Sequence, residues 1–111
     1  MTIYGIQSCD ITRKAIATLK KNKLDFVFHD YRVAGMSADK IRGWINELGL
    51  EKVLNKKSAT WRNLSEDEKI KIRTVDGAVE LMLENNTLIK RPIIERNGKV
   101  FVGYDENALK K

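Results

Sequence analysis

Between Tyr4 and Leu19 the apolar residues change period, and that change constrains the fold more than any other feature of the chain. Tyr4 and Ile6 belong to a short apolar run after Met1 that reads as a strand. Ile11, Ala15, Ile16 and Leu19 instead recur at helical spacing, with Arg13, Lys14, Lys20 and Lys21 on other faces. Asn22-Lys23 is a polar stop, after which Leu24 to Tyr31 alternates as a second strand. A strand, a helix and a strand in this order make a βαβ unit. Its right-handed crossover places the strands parallel and the first strand-to-helix loop at a carboxyl end, where open α/β sheets put their ligand sites.

That loop carries the only cysteine, Cys9. Unpaired N–H groups and the positive end of the following helix favour a thiolate over a thiol, and Arg13, one turn on, adds a full positive charge. Cys9 is therefore a candidate nucleophile. A lone cysteine is also a common small core residue, and the local sequence leaves both readings open. His29 is the only histidine. It could serve Cys9 as a base, although a strand histidine is more often half-buried or solvent-facing.

At 111 residues and 42% hydrophobic content the chain suits one compact domain, 1–111. One cysteine excludes an internal disulfide framework, and no signal-peptide core precedes the first strand, so a reducing cytoplasm is the expected location. No apolar run approaches the ~20 residues that span a bilayer, which leaves membrane partners out. A formal charge of +6 admits an anionic partner: glutathione, an oxyanion, an acidic protein or nucleic acid. The cations are scattered and the aromatics few, which argues against nucleic acid.

Ser37 caps a helix bearing Ile41, Trp44, Ile45 and Leu48 on one stripe, with Gly49 at its end. After a short turn at Leu50 to Leu54, the polar, aperiodic stretch Asn55 to Arg62 reads as a loop. Trp61 and Arg62 in it are candidates for lining a site or, equally, ordinary surface residues. Ser65 and Glu68 match a capping box. A further helix starts near Thr74, buries Val75, Val79, Met82 and Leu83, and ends at Asn85-Asn86. The helical segment, about 33–87, looks like an insertion beside a small sheet. Leu88 to Glu95 returns to strand with Pro92, the only proline, tolerated at its start. Asn97-Gly98 marks a type I′ hairpin into Val100-Phe101-Val102, and a short helix with Ala108 and Leu109 inward closes the chain. The order β-α-β, helices, β-β-α predicts an α/β fold of the thioredoxin/glutaredoxin plan: a mixed four-stranded sheet with a helical insertion between strands 2 and 3.

Tyr4-Gly5-Ile6 leading to Cys9-x-x-x-Arg13, Phe28-His29-Asp30-Tyr31-Arg32, Leu54-Asn55-Lys56 with Thr60-Trp61-Arg62, and Leu88 to Ile93 together resemble the ArsC/Spx group of arsenate-reductase-like proteins, and within it the YffB-like branch of thiol reductases. The resemblance covers essentially the whole chain. It implies that Cys9 is the redox thiol, Arg13 its in-helix cation and Arg91 the arginine before the family's cis-proline, here Pro92. A cis proline there offers backbone to an extended peptide or to glutathione.

The sequence departs from the family in two places. Arsenate reductases of the family hold the oxyanion with three arginines, of which only Arg91 is matched; Gly103 stands where the last would fall, and Arg62 substitutes for the other only if its loop folds inward. The regulator branch carries Cys-x-x-Cys, whereas Thr12 occupies the fourth position here, so no internal dithiol forms. A lone thiol cannot resolve its own mixed disulfide and needs an outside thiol. The resemblance thus implies a thiol–disulfide oxidoreductase with no bound cofactor and glutathione as co-substrate. An acidic-protein docking module of the Spx type is the second expectation, and true arsenate reduction the third.

Overall fold

A computed structural model describes residues 1–111, which form two compact units, Met1–Ala34 with Arg91–Lys111, and Gly35–Lys90. In the first unit β1 (Thr2–Gly5), α1 (Asp10–Lys21) and β2 (Val27–Asp30) form the expected βαβ unit, followed by a helical turn, α2 (Tyr31–Ala34). β1 and β2 are parallel, with Ile3 opposite Phe28.

The second unit is built of helices and 3₁₀ turns: α3 (Ala38–Leu48), α4 (Leu50–Val53), α5 (Ala59–Arg62), α6 (Glu66–Ile70) and α7 (Val75–Glu84), with 3₁₀ turns at Lys71–Arg73 and Asn86–Leu88. β3 (Ile93–Arg96), β4 (Lys99–Val102) and α8 (Glu106–Leu109) complete the first unit. Its mixed four-stranded sheet has the order β2-β1-β3-β4.

The pairing follows from the residues. Ile94 of β3 lies opposite Ile3 of β1 on one side and Phe101 of β4 on the other, both antiparallel. Asn97 and Gly98 take φ of 53° and 77°, as a type I′ hairpin requires. Ile3 and Ile94 from the sheet meet Ala15 and Leu19 of α1 and Ala108 and Leu109 of α8 in one dry cluster. Asn22 Nδ2 donates to the Leu109 carbonyl at 2.7 Å, tying the end of α1 to α8. In the second unit Ile41, Trp44 and Ile45 of α3 and Ala78, Val79, Leu81 and Met82 of α7 are buried, and α3 packs on α7. The capping box closes at α6, where Glu68 N donates to Ser65 Oγ and Ser65 N to Glu68 Oε1, both at 3.1 Å.

Three boundaries differ from the sequence reading. The stretch ending at Arg62 is not all loop: Ser58 Oγ accepts from Trp61 N at 3.1 Å and caps the turn of α5. The second strand is shorter than Leu24 to Tyr31, because the Asp30 carboxylate accepts from Arg32 N at 2.9 Å and turns the chain into α2. The returning strand starts only at Ile93; Asn86–Leu88 is a 3₁₀ turn, and Ile89 makes an isolated antiparallel bridge to Leu54.

Candidate active site

Cys9 sits at the N-cap of α1 in extended conformation, φ −80° and ψ 124°. Its own N–H is bound to the Ile6 carbonyl at 3.0 Å and its carbonyl accepts from Arg13 N at 3.0 Å, so both backbone groups are fixed and the half-buried side chain is held at the junction. Asp30 at the end of β2 secures the loop from the other side, its Oδ2 accepting from Gln7 N at 3.0 Å. One carboxylate thus pins the loop before Cys9 and, through Arg32 N, the start of α2.

Burial alone would push the Cys9 thiol up. The Thr12 N–H, the Thr12 hydroxyl, the Arg91 guanidinium and the Ile11 N–H outweigh it and hold the thiol below its ordinary value. No regular capping hydrogen bond closes on the sulfur. The Thr12 and Ile11 N–H groups, the Thr12 hydroxyl and the Arg91 guanidinium act on the charged sulfur. Thr12 is fully buried, its Oγ1 has no conventional partner, and the Cys9 sulfur is the group it favours in anionic form. Gly5 makes room for it: a Cβ there would lie 2.6 Å from Thr12 Oγ1 and 2.7 Å from its Cγ2.

Arg91 reaches the thiol from the segment before β3, and the Arg91–Pro92 bond is cis. It also donates to the hydroxyl of Tyr31, the first residue of α2, which is fully buried. Burial pushes the Tyr31 phenol up to about 12 against the opposing pull of Arg91. Burial of Arg91 works against its charge, but Tyr31 and Cys9 more than compensate, and the guanidinium pKa is raised. Pro92 is buried, and its carbonyl accepts from Gly103 N at 2.7 Å. Gly103 has φ of 80°, a conformation that an arginine side chain rarely adopts, which accounts for glycine where an oxyanion-holding arginine was sought.

Cys9, Arg91 and Pro92 therefore come together in the first unit. Arg13 is placed otherwise than expected: its guanidinium pairs with Asp10 one turn earlier, and it is not among the groups acting on the thiol. His29 packs its ring against Tyr4, centroids 5.3 Å apart. Trp61 and Arg62 belong to the second unit. Trp61 is half-buried with the ammonium groups of Lys56 and Lys69 at 5.7 and 5.6 Å from its ring, and the exposed Arg62 donates to the Lys57 carbonyl at 3.0 Å.

The residues that sequence reasoning missed are Thr12 and Tyr31. In the sequence Thr12 stands only where the regulator branch has its second cysteine, and Tyr31 falls within the alternation of the second strand. The arrangement can stabilise a thiolate with one half-buried cation, one hydroxyl and two backbone donors, which is what nucleophilic attack by sulfur requires. No group of three His, Cys, Asp or Glu lies together that could hold a metal ion, and no helix is long and apolar enough to cross a membrane.

A family model described as ArsC family matches residues 4–111. An uncharacterised protein of Haemophilus influenzae is 39% identical over 106 residues, covering 96% of this chain and 92% of its own. The global transcriptional regulator Spx of Streptococcus pyogenes serotype M6 is 27% identical over 112 residues, 99% of this chain and 82% of the regulator. The solved structure of a YffB protein superposes with a TM-score of 0.90 at 37% identity, covering 97% of both chains.

Proposed function

The chain belongs to the ArsC family, and on that premise we propose that it is a thiol–disulfide oxidoreductase with a single redox cysteine, Cys9, and glutathione as reductant. The observation that carries this reading is the company of the lone thiol: Arg91, Thr12 and the N–H groups of Ile11 and Thr12 all favour its charged form. The Cys9 thiolate attacks one sulfur of a disulfide, a mixed disulfide forms on Cys9, and the other half leaves as a thiolate that takes up a proton. Glutathione then attacks the mixed disulfide and regenerates Cys9. Arg91 stabilises the thiolate as attacking and leaving group. Arg13, exposed at the first turn of α1, exchanges its Asp10 partner for a glutathione carboxylate. The backbone of Arg91, the residue before the cis-proline, is offered to glutathione or an extended peptide. A lone thiol suits a reducing cytoplasm.

Titrating reduced glutathione while following amide NMR shifts tests the proposal. Exposed ion pairs contribute ~0.2–1 kcal/mol each, so binding is expected in the high micromolar to millimolar range and to weaken with salt. Shifts should cluster at Gln7 to Arg13 and Arg91 to Ile93. If those amides stay still at millimolar glutathione, the glutathione-dependent reading fails.

The Spx likeness over 99% of this chain favours one second reading, a basic module that docks on an acidic protein without turnover. A Cys9 pKa near that of a free thiol, ~8.5, would move it ahead. Arsenate reduction is the third reading, and it lacks the arginines that would hold the oxyanion.

A further inference from the structure

The helix that Cys9 caps carries a second feature further along. Residues 13, 16, 17 and 20 are spaced by three, one and three and lie on one stripe of α1, and the Arg13 N–H at the start of that stripe binds the Cys9 carbonyl at 3.0 Å. Along that stripe runs an open groove of about 400 Å³ between α1 and the edge strand β2. Ile16 and Ala17 form one wall and Phe26 and Phe28 the other, with Gln7 of the Cys9 loop at its mouth. Its only charged lining residues are cations, Arg13, whose guanidinium pairs with Asp10, and Lys20 further along. Lys20 enters no ion pair.

An apolar, aromatic-walled trough that opens at the Cys9 loop through Gln7 and carries the unpaired ammonium of Lys20 selects an apolar group that bears an anion. Its volume lies within the range of small-molecule sites. We propose that the groove receives the departing half of the disulfide substrate, an aromatic thiol bearing a carboxylate. The inference rests on the glutathione-dependent reading above. Cys9 thiolate attacks the glutathionyl sulfur of a mixed disulfide G–S–S–R; the S–S bond breaks, R–S⁻ leaves along the groove and takes a proton from water. Reduced glutathione then attacks Cys9–S–S–G and releases oxidised glutathione. The net change is GSSR + GSH → GSSG + RSH. The rings of Phe26 and Phe28 pack on R, and Lys20 meets its carboxylate.

Two measurements test this. In the first, 3-phenylpropionate, which has no sulfur, is titrated into the whole protein under NMR. The amides of Ala17 and Phe28 are expected to shift, and Lys20→Glu should weaken binding about fivefold or more, the loss of an exposed ion pair and its replacement by repulsion. Still amides at tens of millimolar, or equal binding of neutral 3-phenylpropanol, overturn the proposal. In the second, kcat/KM is compared for glutathione mixed disulfides of 3-(4-mercaptophenyl)propionate and 4-methylbenzenethiol, whose leaving groups are close in acidity, so the ratio reads the carboxylate. The ratio should favour the carboxylate about fivefold or more and fall toward unity in Ala17→Glu, which fills the trough and reverses its charge, but not in Lys99→Glu on β4. Turnover at equal rates with both disulfides overturns the groove and leaves the reductase reading standing. No turnover with either, while 3-phenylpropionate still shifts Ala17 and Phe28, removes the reductase reading and the departing-half assignment and leaves only a carboxylate-binding groove.

Discussion

Arg91 is hydrogen-bonded to Tyr31, a residue sixty positions earlier in the chain, and the same guanidinium reaches Cys9. Tyr31 is fully buried and begins α2, whose entry is fixed by the Asp30 carboxylate, so the arginine is braced from beneath while its charge faces sulfur. A charge-assisted hydrogen bond contributes ~1.5–3 kcal/mol, or about 10- to 100-fold in rate if it is made to the developing and departing thiolate. Arg91→Met should therefore raise the Cys9 pKa and cut kcat/KM by about that factor. Arg91→Lys should recover only part of it, because an ammonium cannot serve Tyr31 and Cys9 as the planar fork does. Thiolate absorbance near 240 nm, followed against pH, is the direct check; an unchanged titration in Arg91→Met would separate the arginine from the thiol.

Tyr31 carries a pH dependence of its own. Its phenol is pushed up to about 12 from the ordinary 10.0, so the folded chain favours the neutral form. The sign follows: the stability contributed by the neutral phenol is complete below about pH 10 and is lost as the pH rises from there toward 12. Tyr31→Phe should lower stability at neutral pH by about 1–3 kcal/mol, since Arg91 loses a buried partner, but should flatten the further loss above pH 10. Urea unfolding at pH 7 and pH 11 measures both, and parallel pH slopes in the two proteins would exclude Tyr31 as the source.

The fold was largely legible because its signals are local and agree with one another. The period change before Ile11, the Asn97-Gly98 turn, the Ser65 and Glu68 capping box and the Ser37 cap each act within a few residues, and all are found where the sequence puts them. The site was legible only in part. Cys9 is visible because it sits at a junction of two periods. Arg91 and Pro92 came from family likeness, since nothing within their own segment says what they face. Tyr31 was hidden because strand alternation predicts burial, not the arginine that a buried phenol will meet. Arg13 is the converse case: its nearness to Cys9 is plain in the sequence, whereas its pairing with Asp10, one turn back and more exposed than Arg13 itself, is not.

Thr12 and Gly5 form a second pair that reports on the thiol. Thr12→Val keeps the shape and removes the hydroxyl, so the Cys9 pKa should rise while stability stays within about 1 kcal/mol, because the lost oxygen had no conventional partner. Gly5→Ala should be worse for the fold. The new methyl would lie 2.6 Å from the Thr12 oxygen, forcing the buried side chain or the end of β1 to move. Overpacking of this kind costs about 1–3 kcal/mol, and the displaced hydroxyl should raise the thiol pKa as well. A Gly5→Ala protein with normal melting temperature and normal thiol titration would show that the contact yields without consequence.

Cys9 itself joins rate and stability in one titration. Because Thr12, Arg91 and Ile11 hold its pKa below the ordinary value against the effect of burial, attack should speed up as the pH rises through that depressed value and level off above it. The same depression is a linkage. The thiolate's contribution to stability is fully present above the unfolded-state thiol pKa and is lost as the pH falls through the lower native one, so the wild-type chain should gain stability relative to Cys9→Ser across that interval as the pH rises. Serine is nearly isosteric and does not ionise there. Cys9→Ser should therefore keep the circular dichroism spectrum, lose all thiol–disulfide exchange, and show no such gain in stability. Residual exchange in the variant cannot come from another thiol, as the chain has none, and would sink the assignment of the reaction to Cys9. A wild-type rate that rises only near the pKa of an unperturbed thiol, ~8.5, would mean that the donors gathered at the N-cap of α1 leave the sulfur unactivated.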